Sequence, residues 1–471
     1  MKKIILIVGG IILILGAATA RWVSLPDTST NPVSQKNPET EVYFSMSEGS
    51  GDPCQFGNLE GCRLFKVAFS HSPQNGFKID PNRFEQVLEQ SAVLPVMSPN
   101  GKAIAFRGGS SANGVEALAS YVYSLLTDTI VNVSSGTFNG QAHWPFWWDD
   151  THLFASNVTD CSNGQKGCSK SSRYEDLVLF TLSADYSYVE ESGLFLGGID
   201  TLSGVISDAC SFSNPVVNPK NPNLIGFHSS PVDGSGKIQD GSCPFLKGLG
   251  GDFLTDGAQP IPVVVNLENA LLKKSISEWK AGEDYYSFDL KSAEISGCAH
   301  LDFNEKGQVI CIEQGTQEGE RFCSNSQTSL QDCTRSGYSV VQKSKLYGFE
   351  LINGMFTTIR SPGEALFRHV DPWDLPDASR YWHDDEPCQL YATKYAHACG
   401  EDTLVATVQC TASNSTSTSG FDTSFSRMMF IEYSDPDHPL YFDLTSWAED
   451  AFPERWTEGS ATGFSASCHS L

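Results

Sequence analysis

The chain has 471 residues, with 31 Lys and Arg against 56 Asp and Glu, a formal net charge of −25. So acidic a surface repels phosphate backbones, which excludes nucleic acid as a natural partner. Charged residues make up only 18%, aromatics 11%, and there are 41 glycines, a balance that fits a turn-rich β protein rather than a helical or disordered one.

The chain opens on Lys2 and Lys3, followed by an apolar stretch over residues 4–20 that ends in Ala18-Thr19-Ala20. A positive start, an apolar middle and a small-x-small ending make an export signal. The stretch is also just long enough to stay in a bilayer. Residues 1–20 are therefore expected to be a cleaved signal peptide or an N-terminal membrane anchor, the only part that would touch membrane. Residues 21–41 are rich in Pro, Ser, Thr and Asn and read as a flexible linker. The remainder, 42–471, is expected to be a single domain. Export would put it in the periplasm, at the cell surface or outside the cell. Its 14 cysteines, an even number with no Cys-x-x-Cys pair, suit a disulfide framework in an oxidising compartment.

Helical periodicity is scarce, the best stretches being 81–89 and 267–280. Strand-like runs are many. Glu41–Ser47 and Cys62–Phe69 come first. Then Val93 to Phe106 reads as a strand, a tight turn at Pro99-Asn100-Gly101 and a second strand, with Gly101 free to adopt the positive φ of the turn. The same hairpin recurs over 145–156, 215–229, 301–312 and 395–407. Aligning Ser98, Trp148, Asn218, Asn304 and Ala398 gives intervals of 50, 70, 86 and 94 residues. Third and fourth strands follow most hairpins, as in 119–125 and 130–133. Four antiparallel strands per unit is the plan of a propeller blade, and the excess length is inserted loop.

The phrase Ser98-Pro99-Asn100-Gly101-Lys102-Ala103-Ile104-Ala105-Phe106 resembles the repeat of TolB-like propellers, which are bacterial, exported and mostly bind partners. Five repeats plus one split blade predict an all-β, six-bladed propeller. The split blade would join strands at 41–47 and 62–69 to a returning segment at 461–468. The repeat also suggests cysteine partners. Cys54–Cys62, Cys161–Cys168 and Cys323–Cys333 are close in sequence. Cys298–Cys311 and Cys388–Cys410 face each other across hairpins. Cys210–Cys243 would tie a long insertion, and Cys399–Cys468 remains. Fourteen cysteines permit many other sets.

Chemical motifs are few. There is no Gly-x-Ser-x-Gly elbow, no His-Glu-x-x-His, no EF-hand loop and no phosphate-cradling glycine loop. His383, Asp384, Asp385 and Glu386 carry donors for a divalent cation such as calcium, although a solvated acidic loop is the plainer account of them. His143, His300 and His397 fall near first strands, at different repeat positions. His143, Trp144, Trp147 and Trp148, with His300, Trp373 and Trp382, are candidates for contact with a protein or carbohydrate partner; burial between blades is the plainer role. The expected function is non-catalytic binding or scaffolding, with recognition by the insertions at 226–261 and 314–344. Two alternatives remain: a polysaccharide lyase or hydrolase with a metal or carboxylates at the channel mouth, and a membrane-anchored subunit of an envelope complex.

Overall fold

The structure is a computed structural model. It describes residues 40–47, 54, 61–72, 76–108, 119–134, 142–160, 173–197, 201–206, 210–229, 243–246, 261–295, 297–313, 345–368, 382–383, 386–387, 389–392, 396–411, 425–456 and 463–470. The strands form six antiparallel sheets arranged as propeller blades, together with a small pairing of Trp382–His383 with Glu386–Pro387. Blade one runs Val93–Met97, Ala103–Gly108, Ala119–Ser124 and Thr129–Asn132, from the channel outward. Blade two is Ala142–Trp147, His152–Asp160, Arg173–Leu182 and Val189–Leu196. Blade three is Ser213–Val217, Leu224–Ser229, Ile261–Asn266 and Tyr285–Ser287, and blade four is Ala299–Phe303, Val309–Glu313, Lys345–Ile352 and Met355–Thr358. In blade five Gln389–Ala392 and His397–Ala398 both pair with Thr403–Thr411, which is followed by Phe425–Glu432 and Leu440–Asp443.

Blade six closes the ring. Its innermost strand is Gly463–Ser470, from the end of the chain, and it pairs with Thr40–Ser47, which leads out to Cys62–Ser72 and Gly76–Leu88. The blade split in sequence is thus made whole by a ladder from Thr40↔Ser470 to Met46↔Gly463. Closure gives Thr40–Ser47 an inner partner, completing four strands in this blade as in blades one to four.

The core lies between blades, and strand alternation divides it. In the second strand of blade two, Leu153 and Ala155 pack toward blade one while Phe154 packs toward blade three. In blade three, Ile225 and Phe227 face blade two, whereas Leu224 and Val264 face blade four. Both faces of a middle strand are buried, so these strands read as continuous apolar runs rather than as alternating ones.

Both helical expectations need correction. Residues 81–88 belong to the outermost strand of blade six. The register shifts between Lys66↔Glu85 and Ala68↔Asp80, so Pro81, which has no N–H to give, stands in a bulge. Phe84 then folds onto Phe65 at 5.4 Å and Phe452 at 4.3 Å between ring centroids. In 267–280 only Leu267–Ala270 is α-helical, and Ile276–Glu278 is a single 3₁₀ turn. The stripe begun by Leu267, Ala270 and Leu271 would run at helical spacing into Lys274 and Glu278, so a continuous helix would have no apolar face beyond its first turn. The insertion expected at 226–261 also begins late, because residues 226–229 complete a core strand.

Among the described residues four disulfides join Cys54 to Cys62, Cys210 to Cys243, Cys298 to Cys311 and Cys399 to Cys468. The expected pairs Cys161–Cys168, Cys323–Cys333 and Cys388–Cys410 lie outside the described residues, as does the insertion at 314–344. Such crosslinks imply folding in an oxidising environment. Among the described residues no helix is long and apolar enough to cross a membrane.

Candidate channel site

In blades one to five the inner strand ends in a turn tied by one repeated hydrogen bond. The amides of Ser98, Trp148, Asn218, Asn304 and Cys399 donate to the carbonyls of Ala103, His152, Leu224, Gln308 and Thr403 at 2.8–3.0 Å. The repeat expected from sequence is therefore in register in four blades and displaced by one residue in the fifth, where Cys399 replaces Ala398. Side-chain oxygens finish these turns: Ser98 Oγ accepts from Ala103 N at 2.9 Å, Asn218 Oδ1 from Lys220 N at 2.8 Å and Asn304 Oδ1 from Lys306 N at 3.0 Å.

These turns surround the mouth of the central channel, a cavity of about 700 Å³ to which all six blades contribute. Val96, Met97 and Pro99 come from blade one, Phe146 to Thr151 from blade two, and Val217 to Pro219 with Pro222 from blade three. Asp302, Phe303 and Glu305 of blade four, His397 to Gly400 of blade five, and Ser467 and Cys468 of blade six complete the wall. The wall is largely apolar but carries Asp149, Asp150, Asp302 and Glu305, and among the described residues it holds no Lys or Arg. The Asp149 carboxyl is partly buried, which by itself would raise its pKa. Donation from the Thr151 and His152 amides and the His152 ring outweighs this and holds it below the usual carboxylate range.

Asp302 and His397 meet at the floor. Asp302 Oδ2 accepts from Ala398 N at 2.8 Å and lies 3.4 Å from His397 Nδ1, while Oδ1 accepts from Phe303 N at 2.9 Å. The carboxylate thereby stands beside the imidazole at ion-pair distance. His397 lines this cavity and also a deeper chamber of about 40 Å³.

That chamber is built from a second repeated feature. Leu94, Trp144, Asn214 and His300 each stand four residues before the first residue of their turn, and all four have positive φ, between 50° and 56°. At each, the ladder to the second strand shifts register: between Val93 and Val96, His143 and Phe146, Ser213 and Val216, and Ala299 and Asp302. These are β-bulges, which re-aim one side chain per strand. All four bulge residues line the chamber, with Pro145, Phe146, Pro215 and His397 among the rest of its wall. Asn214 Nδ2 donates to His300 Nδ1 at 2.7 Å, which places the imidazole proton on Nε2. The Trp144 and His300 rings are 5.4 Å apart.

The aromatic candidates thus separate. Trp144 and His300 come together in the chamber. Trp148 lines the mouth, half-buried against Phe154 at 5.3 Å, with its indole N–H on Pro222 O at 3.0 Å. Trp147 is buried, and its N–H donates to Val96 O at 2.9 Å across the joint of blades one and two. His143 and Trp382 lie in strands, but their side chains are outside the described residues; Trp373 is wholly outside them. The same holds for Asp384 and Asp385 and for the side chains of His383 and Glu386. Among the described residues no cluster of three metal-ligating side chains occurs. Sequence reasoning did not single out Asn214, Asp302 or Glu305. Position in the aligned repeat was the available signal for Asn214, since it shares its offset with Trp144 and His300.

No protein-family model matches the chain, and no curated protein matches it in sequence. Solved structures do. The β-propeller domain of the trilobed protease from Pyrococcus furiosus is 10% identical with a TM-score of 0.32, the match covering 86% of this chain and 81% of that one. Acylaminoacyl peptidase of Pyrococcus horikoshii is 11% identical with a TM-score of 0.34, over 83% of this chain and 52% of that one. Hydrazine synthase of Kuenenia stuttgartiensis is 8% identical with a TM-score of 0.32, over 86% and 80%.

Proposed function

We propose that this chain is an exported propeller that works by non-catalytic binding, in the periplasm or at the cell surface, with the channel mouth as its recognition site. In this reading residues 4–20 carry it to or across the membrane, as cleaved signal or retained anchor, and residues 21–41 are the spacer. One observation carries the proposal: a cavity of about 700 Å³ shared by all six blades, apolar in the main and edged by four acidic side chains. Concave, preformed and mostly apolar walls with a few convergent polar groups are the usual form of a ligand site. The test is affinity capture from the native envelope with the parent protein and with Trp148→Ala, each disulfide-intact. A partner lost from the variant supports the mouth as the site; equal retention sinks it. Mass spectrometry of the mature N-terminus separates signal from anchor, because cleavage after Ala20 leaves Arg21 first.

The His397–Asp302 pair favours one second reading, a hydrolase or lyase acting in the same cavity. An imidazole with a carboxylate 3.4 Å from its Nδ1 suits general acid–base work at Nε2. If so, His397→Asn abolishes turnover of whatever the mouth binds while leaving binding intact.

A further inference from the structure

We infer that the deep chamber is a specific subsite for a protonated amine or guanidinium, the mouth above it serving as the entrance. This rests on the channel being the recognition site and adds the chemistry of what enters it.

The first observation is an unmet acceptor. Asn214 is 6% exposed, lines the chamber and uses its Nδ2 on His300, yet its Oδ1 has no hydrogen-bond partner among the described residues. A buried acceptor without a donor keeps the penalty of its lost hydration, a deficit that a ligand N–H removes. Ser467, in the mouth wall and equally buried, also has an Oγ without a partner.

Charge is the second. The mouth presents Asp149, Asp150, Asp302 and Glu305, and neither wall contains Lys or Arg among the described residues. Of the lysines in these turns, Lys306 is held by Asp402 at 2.6 Å, while Lys102 and Lys220 are exposed and outside the wall. The walls themselves therefore attract a cation and, among the described residues, oppose it with no lysine or arginine.

Shape and surface decide the rest. The two cavities share Val96, Phe146 and His397 in their walls, so the chamber lies directly beneath the mouth. At about 40 Å³ the chamber has room for roughly three waters, enough for a terminal ammonium or guanidinium but not for a sugar ring. Trp144 and Phe146 give it aromatic walls, which attract a cation by their ring quadrupoles. Arg and Lys side chains are donors without acceptors, and they supply what these walls lack.

The test is calorimetric titration of the purified, disulfide-intact protein with four probes: arginine amide, the tripeptide Gly-Arg-Gly, the same tripeptide with neutral citrulline for arginine, and maltohexaose. The two arginine probes should bind, the citrulline peptide at least tenfold more weakly. A tripeptide tighter than the amide assigns the cation to a polypeptide; equal affinity assigns it to a small amine. Asn214→Leu should weaken the arginine probes at least tenfold. Leucine is tolerated by this backbone, because Leu94 already occupies the equivalent bulge at φ 53°. Should that variant fail to fold, the surface variant Asp150→Asn/Glu305→Gln should still weaken them and flatten the loss of affinity with added salt. Equal binding of arginine and citrulline peptides, or indifference of arginine binding to both variants, overturns the inference. So does failure of the arginine probes; maltohexaose binding that Trp148→Ala removes would then leave the mouth as the recognition site. If no probe binds and Trp148→Ala retains the captured partner in full, the mouth reading falls as well.

Discussion

Removing the Cys399–Cys468 bond by Cys399→Ala/Cys468→Ala should loosen the ring at one identifiable place. The bond spans 69 residues of sequence and joins the turn of blade five to the closing strand Gly463–Ser470. Crosslinking a loop of that length removes unfolded-state entropy worth about 4 kcal/mol at 25 °C. With an unfolding entropy of about 2.1 cal/mol/K per residue over roughly 430 residues, that loss lowers Tm by about 5 °C. The variant should still fold, because the closing strand keeps its ladder to Thr40–Ser47 and the apolar cluster of Val42, Phe44, Met428 and Phe430 remains intact. Calorimetry gives the stability change, and amide exchange locates it. Protection should fall first in Gly463–Ser470 and Thr40–Ser47, with blades two and three unaffected. A loss below about 1 kcal/mol, or protection falling evenly around the ring, would refute the reasoning that this bond secures closure.

Two glycines with positive φ distinguish strain from contact. Gly101→Ala places a Cβ 2.8 Å from His469 Nε2, whereas at Gly76 no atom lies within 4 Å, so chemical denaturation should show the former costing more than the roughly 1 kcal/mol of backbone strain expected at the latter. Phe227→Ala, fully buried and edge-on to Phe212 at 4.7 Å and Phe245 at 6.0 Å, should cost about 3–5 kcal/mol by urea unfolding. Burial holds the His469 imidazole below its ordinary pKa of 6.5. The unfolded chain therefore binds the proton first. The stability from this group is complete above pH 6.5 and is lost as pH falls from there through the folded value. His469→Gln should remove that part of the acid-side slope in a series of melts across pH 4–7, and an unchanged slope would contradict it.

The hairpins were legible because each is local: a turn residue, a side-chain oxygen that caps it, and flanking apolar strands all fall within a dozen residues. Even the split blade could be read, since Glu41–Ser47 and Cys62–Phe69 are strands without an inner partner of their own. Residues 81–88 were misread because their outcome depends on Phe84 meeting Phe65 and Phe452, contacts that no local period encodes. Asp302 and His397 belong to different blades and meet only through the closed ring. The chamber escaped notice for another reason: Leu94, Trp144, Asn214 and His300 share a backbone state and nothing chemical, so a search by residue type passes over them.

That shared state bears on how such a channel can change. Four blades hold the same kinked position while carrying an aliphatic, an indole, an amide and an imidazole. The main chain there is indifferent to its passenger. The side chains are another matter, because Asn214 bonds to His300 and Trp144 lies against the His300 ring. The backbone thus leaves residue type open while neighbouring passengers must suit one another, so a new ligand preference is set by compatible pairs of these positions.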